Sequence, residues 1–244
     1  MNIKKFLQKT EWYVLGVFAA IELAIFIAFV VIETTQGYNP IALKYTGIVL
    51  CFAVSLLMLP IHGKDGIFAA VSSFFTVISD LFIFILAKND ADMYIPGLCT
   101  FIIVQTVFFI RIYFTLKKKP FISLAVRLVL MAVALITLGC LTYLNALTAL
   151  VAIYFPMLLG NTVESAFLIK TSKRYILLLI GLILFMGCDI CVGILNMAQV
   201  GIELPERTLD IIATVIWVFY LPSQTVIALA AHDSKPKLLS EEKL

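Results

Sequence analysis

Charge is scarce in this chain of 244 residues: Asp, Glu, Lys and Arg together make up 14% of it. An average soluble domain carries about 25%. Hydrophobic residues reach 62%. That balance excludes a disordered chain and an ordinary soluble enzyme. A net charge of +3 is too small to attract a polyanion, so no nucleic-acid partner is expected. Histidine is nearly absent: only His62 and His232 occur, without acidic or thiol partners at ligand spacing. No metal site and no cofactor are expected. The chain also lacks a Gly-rich phosphate loop, a G-x-S-x-G and an H-E-x-x-H, which removes the commonest nucleotide, serine-hydrolase and zinc-protease signatures. The cysteines, Cys51, Cys99, Cys140, Cys188 and Cys191, are odd in number and sit in apolar runs, so they form no disulfide framework. Cys188 and Cys191 share a helix face, where two small residues let helices pack closely.

What the chain has instead is long apolar runs, at 12–32, 41–60, 66–87, 94–116, 121–142, 146–168, 174–196 and 210–230. Each is long enough to cross about 30 Å of hydrocarbon as a helix. The breaks carry charge, proline or both, except near Tyr143 to Ala146, where only Asn145 and overall length argue for one. The first run follows Lys4, Lys5 and Lys9 as a signal peptide would. It is too long, contains Glu22 and lacks a small-x-small cleavage site, so it is expected as a retained span. The fold class expected is therefore an all-α polytopic membrane protein with eight transmembrane helices. Residues 1–232 form one domain and 233–244 a flexible charged tail. Of 18 Lys and Arg, only Lys44, Lys88 and Arg207 fall on one side, leaving 15 on the side of the N-terminus. By the positive-inside rule both termini are cytoplasmic, on an integral membrane protein of the cytoplasmic membrane if the source is bacterial.

Ionisable groups inside a span are costly and mark function by default. Asp80 and Asp189 are the strongest such signal. Ser79-Asp80-Leu81 through Leu86 matches Cys188-Asp189-Ile190 through Leu195 in placing Ile-Leu five and six residues after the acid. The two helices lie four apart, so they run the same way, and the match points to two parallel four-helix halves. Each Asp lies about seven residues from the outer helix end, roughly 10 Å deep at 1.5 Å per residue. Two carboxylates at one depth can face each other across a central cavity and share a proton, the arrangement that acid-initiated cleavage through an oxocarbenium ion requires.

Other polar residues fall in or near the same interior. Ser72, Thr76 and Asp80 form one stripe; Gly181, Asp189 and Gly193 share a face; Tyr154 and Asn161 share another. Glu22, Gln105 and Gln224 lie mid-span, where joining helices is the simpler role. Lys44, one turn inside the outer end of its helix, either snorkels outward or turns in to a carboxylate. Arg111 and Glu164 lie near inner ends and are expected at the solvated interface. Pro222 predicts a kink in the last helix.

Phe75-Thr76-Val77-Ile78-Ser79-Asp80-Leu81, Ile102-Ile103-Val104-Gln105, Phe185-Met186-Gly187-Cys188-Asp189-Ile190 and Phe219-Tyr220-Leu221-Pro222-Ser223-Gln224, with Lys44 ahead of them, resemble the YhhN-like membrane family, which includes the lysoplasmalogenases. The family usually has Gly before the first Asp and Pro after the Lys, where this chain has Ser79 and Tyr45. The resemblance implies hydrolysis of the vinyl ether bond of a lysophospholipid, the lysoplasmalogen, releasing a fatty aldehyde and a glycerophospho head group. It implies Asp80 and Asp189 as the catalytic pair and Lys44 at the lipid phosphate. Glu22, Thr76, Gln105, Tyr154, Asn161 and Gln224 are the supporting candidates. The partners implied are membrane lipid and that lysolipid; the oligomeric state is left open. A proton-coupled transporter or carrier using the same acids is the alternative, although no short, Gly/Pro-interrupted pair of spans stands in corresponding positions. An intramembrane aspartyl protease fits poorly, because its G-x-G-D and Y-D contexts are missing and the two helices are parallel. A receptor or assembly subunit without chemistry is the remaining reading, under which Asp80→Asn changes no turnover.

Overall fold

A computed structural model describes residues 3–117, 119–141, 143–196 and 204–230, with side chains from Thr10 onward. The side chains of Lys4, Lys5, Lys9 and Lys118, the link at 197–203, His232 and the tail at 233–244 lie outside the described residues. The described residues are helical apart from short turns and irregular links, with no strand among them. The elements are α1 (Ile3–Gln36), α2 (Ile41–Asp80), a π-helical segment Leu81–Leu86, a 3₁₀ turn Ala91–Met93, α3 (Tyr94–Leu116), α4 (Phe121–Cys140), α5 (Ala146–Leu168), α6 (Tyr175–Leu195) and α7 (Glu206–Leu229). In hydrocarbon no water can satisfy a backbone N–H or C=O, so helices are the economical solution for an apolar chain.

Among the described residues, seven helices are long and apolar enough to cross a membrane, against the eight expected. The difference lies at one place. The runs 41–60 and 66–87, expected as separate spans, form one helical stretch, Ile41–Leu86. Its ladder is interrupted only at Gly63, whose φ of 56° and ψ of −134° leave the helical region. Glycine enters positive φ without a Cβ clash, and here it turns the chain back. The arms on either side then run antiparallel. Tyr45 donates to the Val77 carbonyl at 3.2 Å, the Phe52 and Phe74 rings lie 5.6 Å apart, and the Ser55 and Ser73 hydroxyls meet at 3.2 Å. The expected loop from Pro60 to Asp65 is thus compressed to a single non-helical residue. Pro60 is accommodated within the helix, three residues before the reversal.

The π-helical segment begins immediately after Asp80. Wide turns of this kind are held in place by tertiary contacts. Here the Ser79 hydroxyl donates to the Gly97 carbonyl at 2.6 Å. A Cβ on Gly97 would meet Ile83 at 2.4 Å, so only glycine lets α3 approach this closely. The uncertain break before α5 is a capping box. Asn145 accepts from the Thr148 N–H and Thr148 from the Asn145 N–H, both at 2.9 Å.

α6 packs most extensively on α7, and α3 lies between α2 and α5. The core is aromatic, with Phe29, Phe101, Phe108, Phe185, Trp217 and Tyr220 all buried. α4 stands at the periphery beside α5, and its one buried residue is Arg127. Gly160 of α5 makes room for it, since a Cβ there would lie 2.5 Å from the guanidinium carbon.

Candidate functional site

Asp80 ends α2 and is 0% exposed. The Tyr220 hydroxyl of α7 lies 2.8 Å from each of its carboxylate oxygens, so the phenol sits astride the group. Tyr220 is itself locked by rings: Trp217 at 5.5 Å, Phe185 at 5.6 Å, Phe84 at 6.3 Å and Phe101 at 6.4 Å between centroids. Such tilted and edge-on packing fixes a ring in one orientation.

Asp189 on α6 is held in the same way by a different tyrosine. The Tyr154 hydroxyl of α5 donates to its Oδ2 at 2.6 Å. Asp189 is only half-buried, and Gly193, one turn further on, is exposed with nothing within 4 Å of where a Cβ would stand. Among the described residues no hydrogen bond joins the two carboxylates. Phe101 lies against both tyrosines, its centroid 6.1 Å from that of Tyr154. The Cys188 thiol is near both acids.

A polar seam leads away from Tyr154 along α5. The Gln105 side chain lies beside Tyr154. Asn161 donates to the Gln105 carbonyl at 2.8 Å and to its Oε1 at 3.0 Å, and accepts from Arg127 at 3.0 Å. Arg127 then grips Glu164 at 2.8 and 2.9 Å, and Glu164 also accepts from Tyr113 at 2.8 Å and from Ser123. The seam ends in a cleft of about 340 Å³ lined by Tyr113, Lys119, Ser123 and Glu164 among apolar side chains. Gln105 Nε2, fully buried, makes no hydrogen bond of its own.

The remaining candidates divide. Lys44 turns inward: it is 0% exposed, pairs with Glu33, donates to Asn39 at 3.2 Å and stands over the Phe29 and Trp217 rings. Trp217 packs on Tyr220, so Lys44 is two rings from Asp80. Glu22 is buried where α1, α2 and α7 meet, accepting from Thr225 at 3.4 Å beside the Cys51 thiol. Thr76 is buried on the Asp80 stripe, but its hydroxyl is spent on the Ser72 carbonyl. Gln224 is buried and bonds the neighbouring Ser223 hydroxyl at 3.3 Å. All five cysteines are free thiols, two of them buried.

Two expectations are corrected. Arg111 is 0% exposed and binds Asp65 through two parallel bonds of 2.7 and 2.8 Å, with a third to the Ala230 carbonyl at 3.2 Å. Glu164 is held by Arg127 rather than by water. Both lie near helix ends, where a snorkelling head is the ordinary outcome, but each has a fixed counter-charge on another element. Tyr220, Asp65, Arg127 and Glu33 were not singled out by sequence. The signal for Tyr220 was its place in the same segment as Gln224; Asp65 and Glu33 gave none. Among the described residues no three His, Cys, Asp or Glu side chains converge.

Long apolar helices enclosing buried, hydrogen-bonded acids define a helical integral membrane protein. The YhhN family model matches residues 39–231, and the chain belongs to that family. The match covers α2 to α7 and leaves α1, with Glu22 and Glu33, outside it. No curated protein and no solved structure matches the chain.

Proposed function

We propose that the protein is a membrane-embedded hydrolase of the vinyl ether bond of lysoplasmalogens, with Asp80 and Asp189 as its acid–base pair. The observation that carries this reading is that both carboxylates are held by phenol hydroxyls and, among the described residues, by no cation. A carboxylate locked to arginine is neutralised and spent; one held by a hydroxyl keeps its proton chemistry. Family membership agrees with it. One Asp delivers a proton to the vinyl carbon, and the other stabilises the oxocarbenium ion and orients a water. The hemiacetal then collapses to aldehyde and glycerophospho alcohol. Lys44 is the cation for the lipid phosphate, which would replace Glu33 as its counter-ion. Under this reading the arms of α2 cross separately, giving eight crossings in two parallel halves of one domain. The lysine- and arginine-rich side is cytoplasmic, and the substrate reaches the acids from the opposite leaflet.

Aldehyde release from a lysoplasmenyl lipid by the purified protein tests the proposal. Asp80→Asn and Asp189→Asn, at equal expression, are expected to lose turnover by about 100-fold or more. Absence of turnover by the wild type, or wild-type rates in both variants, removes the assignment. The seam from Asp189 to the Arg127–Glu164 pair favours a second reading, a proton-coupled carrier. Proton-driven flux in liposomes, abolished by Asp189→Asn, distinguishes that class.

A further inference from the structure

The two aspartates are not equivalent, and the difference bears on their roles. Asp80 is sealed. It is 0% exposed, its tyrosine is 2% exposed, and four aromatic rings close around that phenol. Asp189 is half-buried. Tyr154 occupies its Oδ2 only, and Oδ1 has no hydrogen-bond partner among the described residues. Gly193, one turn further along the same helix, is exposed, with nothing within 4 Å of where a Cβ would stand, so no side chain closes that flank of Asp189. An acid that must protonate carbon works best where water cannot take the proton first. A carboxylate that must orient a water has to be reachable by water.

We infer that the two acids divide the reaction: Asp80, held by Tyr220, is the proton donor to the vinyl carbon, and Asp189, held by Tyr154, is the carboxylate that places the water. This deepens the ether-hydrolase reading and rests on it. The Asp80 proton forms a C–H bond with the distal vinyl carbon, using the π pair and leaving an oxocarbenium ion. Water adds to the carbon bearing oxygen and gives a proton to Asp189. Asp189 returns that proton to the glycerol oxygen as the hemiacetal C–O bond breaks, and the hemiacetal hydroxyl gives its proton to Asp80 as the aldehyde C=O forms. Overall one hydrogen of water ends on the vinyl carbon, the other on the glycerol oxygen, and its oxygen becomes the aldehyde oxygen. Tyr154 and Tyr220 are positioning residues. Both lean on the same ring, Phe101.

The test is product partition. In water containing methanol, the oxocarbenium ion is captured either by water, giving aldehyde, or by methanol, giving a mixed acetal of glycerol. Capture follows proton transfer, so a change in the donor alters the rate and not the ratio. Tyr220→Phe is expected to slow total turnover at least about 10-fold, with the acetal fraction unchanged. Tyr154→Phe is expected to raise the acetal fraction several-fold at unchanged KM. Gly193→Val touches neither tyrosine and fills the open space; it is expected to lower the acetal fraction by excluding the bulkier methanol. Melting temperatures of all three confirm that the comparison is between folded proteins. An acetal fraction that moves in Tyr220→Phe, or stays constant in both Tyr154→Phe and Gly193→Val, overturns the division while leaving the hydrolase intact. A wild type that releases neither product overturns the hydrolase reading and the division with it.

Discussion

The basic end of the molecule and its middle both hold buried or half-buried acids, but they treat them differently. At the basic end Asp65 meets Arg111, Glu164 meets Arg127, and Glu11 meets Arg174. In the middle, among the described residues, Asp80, Asp189 and Glu22 meet only hydroxyls and a thiol. Arginine offers a planar fork that fits both oxygens of a carboxylate and never gives up its charge. Such a pair ties helices together. A hydroxyl orients a carboxylate without neutralising it. Within one protein, the choice of partner therefore separates acids whose charge is matched by an arginine from acids held by neutral groups, and the proposed reacting pair belongs to the second set.

That contrast can be broken at several points. The largest effect is expected from Arg111→Met, which strands Asp65 in the interior and should cost about 3–5 kcal/mol in thermal or denaturant unfolding. Pairing it with Asp65→Leu should return most of that loss, since no charge is then left alone. Gly160→Ala drives a methyl into the Arg127 guanidinium and is expected to destabilise by about 1–3 kcal/mol, loosening α4 first. Asp80→Asn should stay within about 1 kcal/mol of wild type, because the amide oxygen still accepts from Tyr220, even as turnover disappears. The smallest change is expected for Glu22→Gln, within about 0.5 kcal/mol and without loss of activity, because its partners are neutral and the site is shape-matched. A large activity loss there would move Glu22 from a helix contact into the reacting centre.

Much of this was legible in the sequence. The spans were visible because hydrocarbon demands long apolar helices, and Asp80 and Asp189 stood out because an acid in such a helix is rare. Their partners were not legible. Tyr154 and Tyr220 are ordinary residues of an apolar helix until the fold brings the phenols to the carboxylates, 35 and 140 residues away. Arg111 was read as interfacial because helix ends are usually wet, and nothing in local spacing points to an acid 46 residues upstream. The reversal in α2 was expected as a loop because proline and charges usually make one. Gly63 accomplishes it in a single residue. The expected repeat is only partial in its surroundings, since both tyrosines come from the second half of the chain.

The Gly63 reversal also has a consequence in time. Asp65, just past the bend, is sealed by an arginine on α3. While the chain is being made, the hairpin exists before its counter-charge does. Burying a carboxylate without a counter-charge is costly, so the bend is expected to close only once Arg111 has been synthesised.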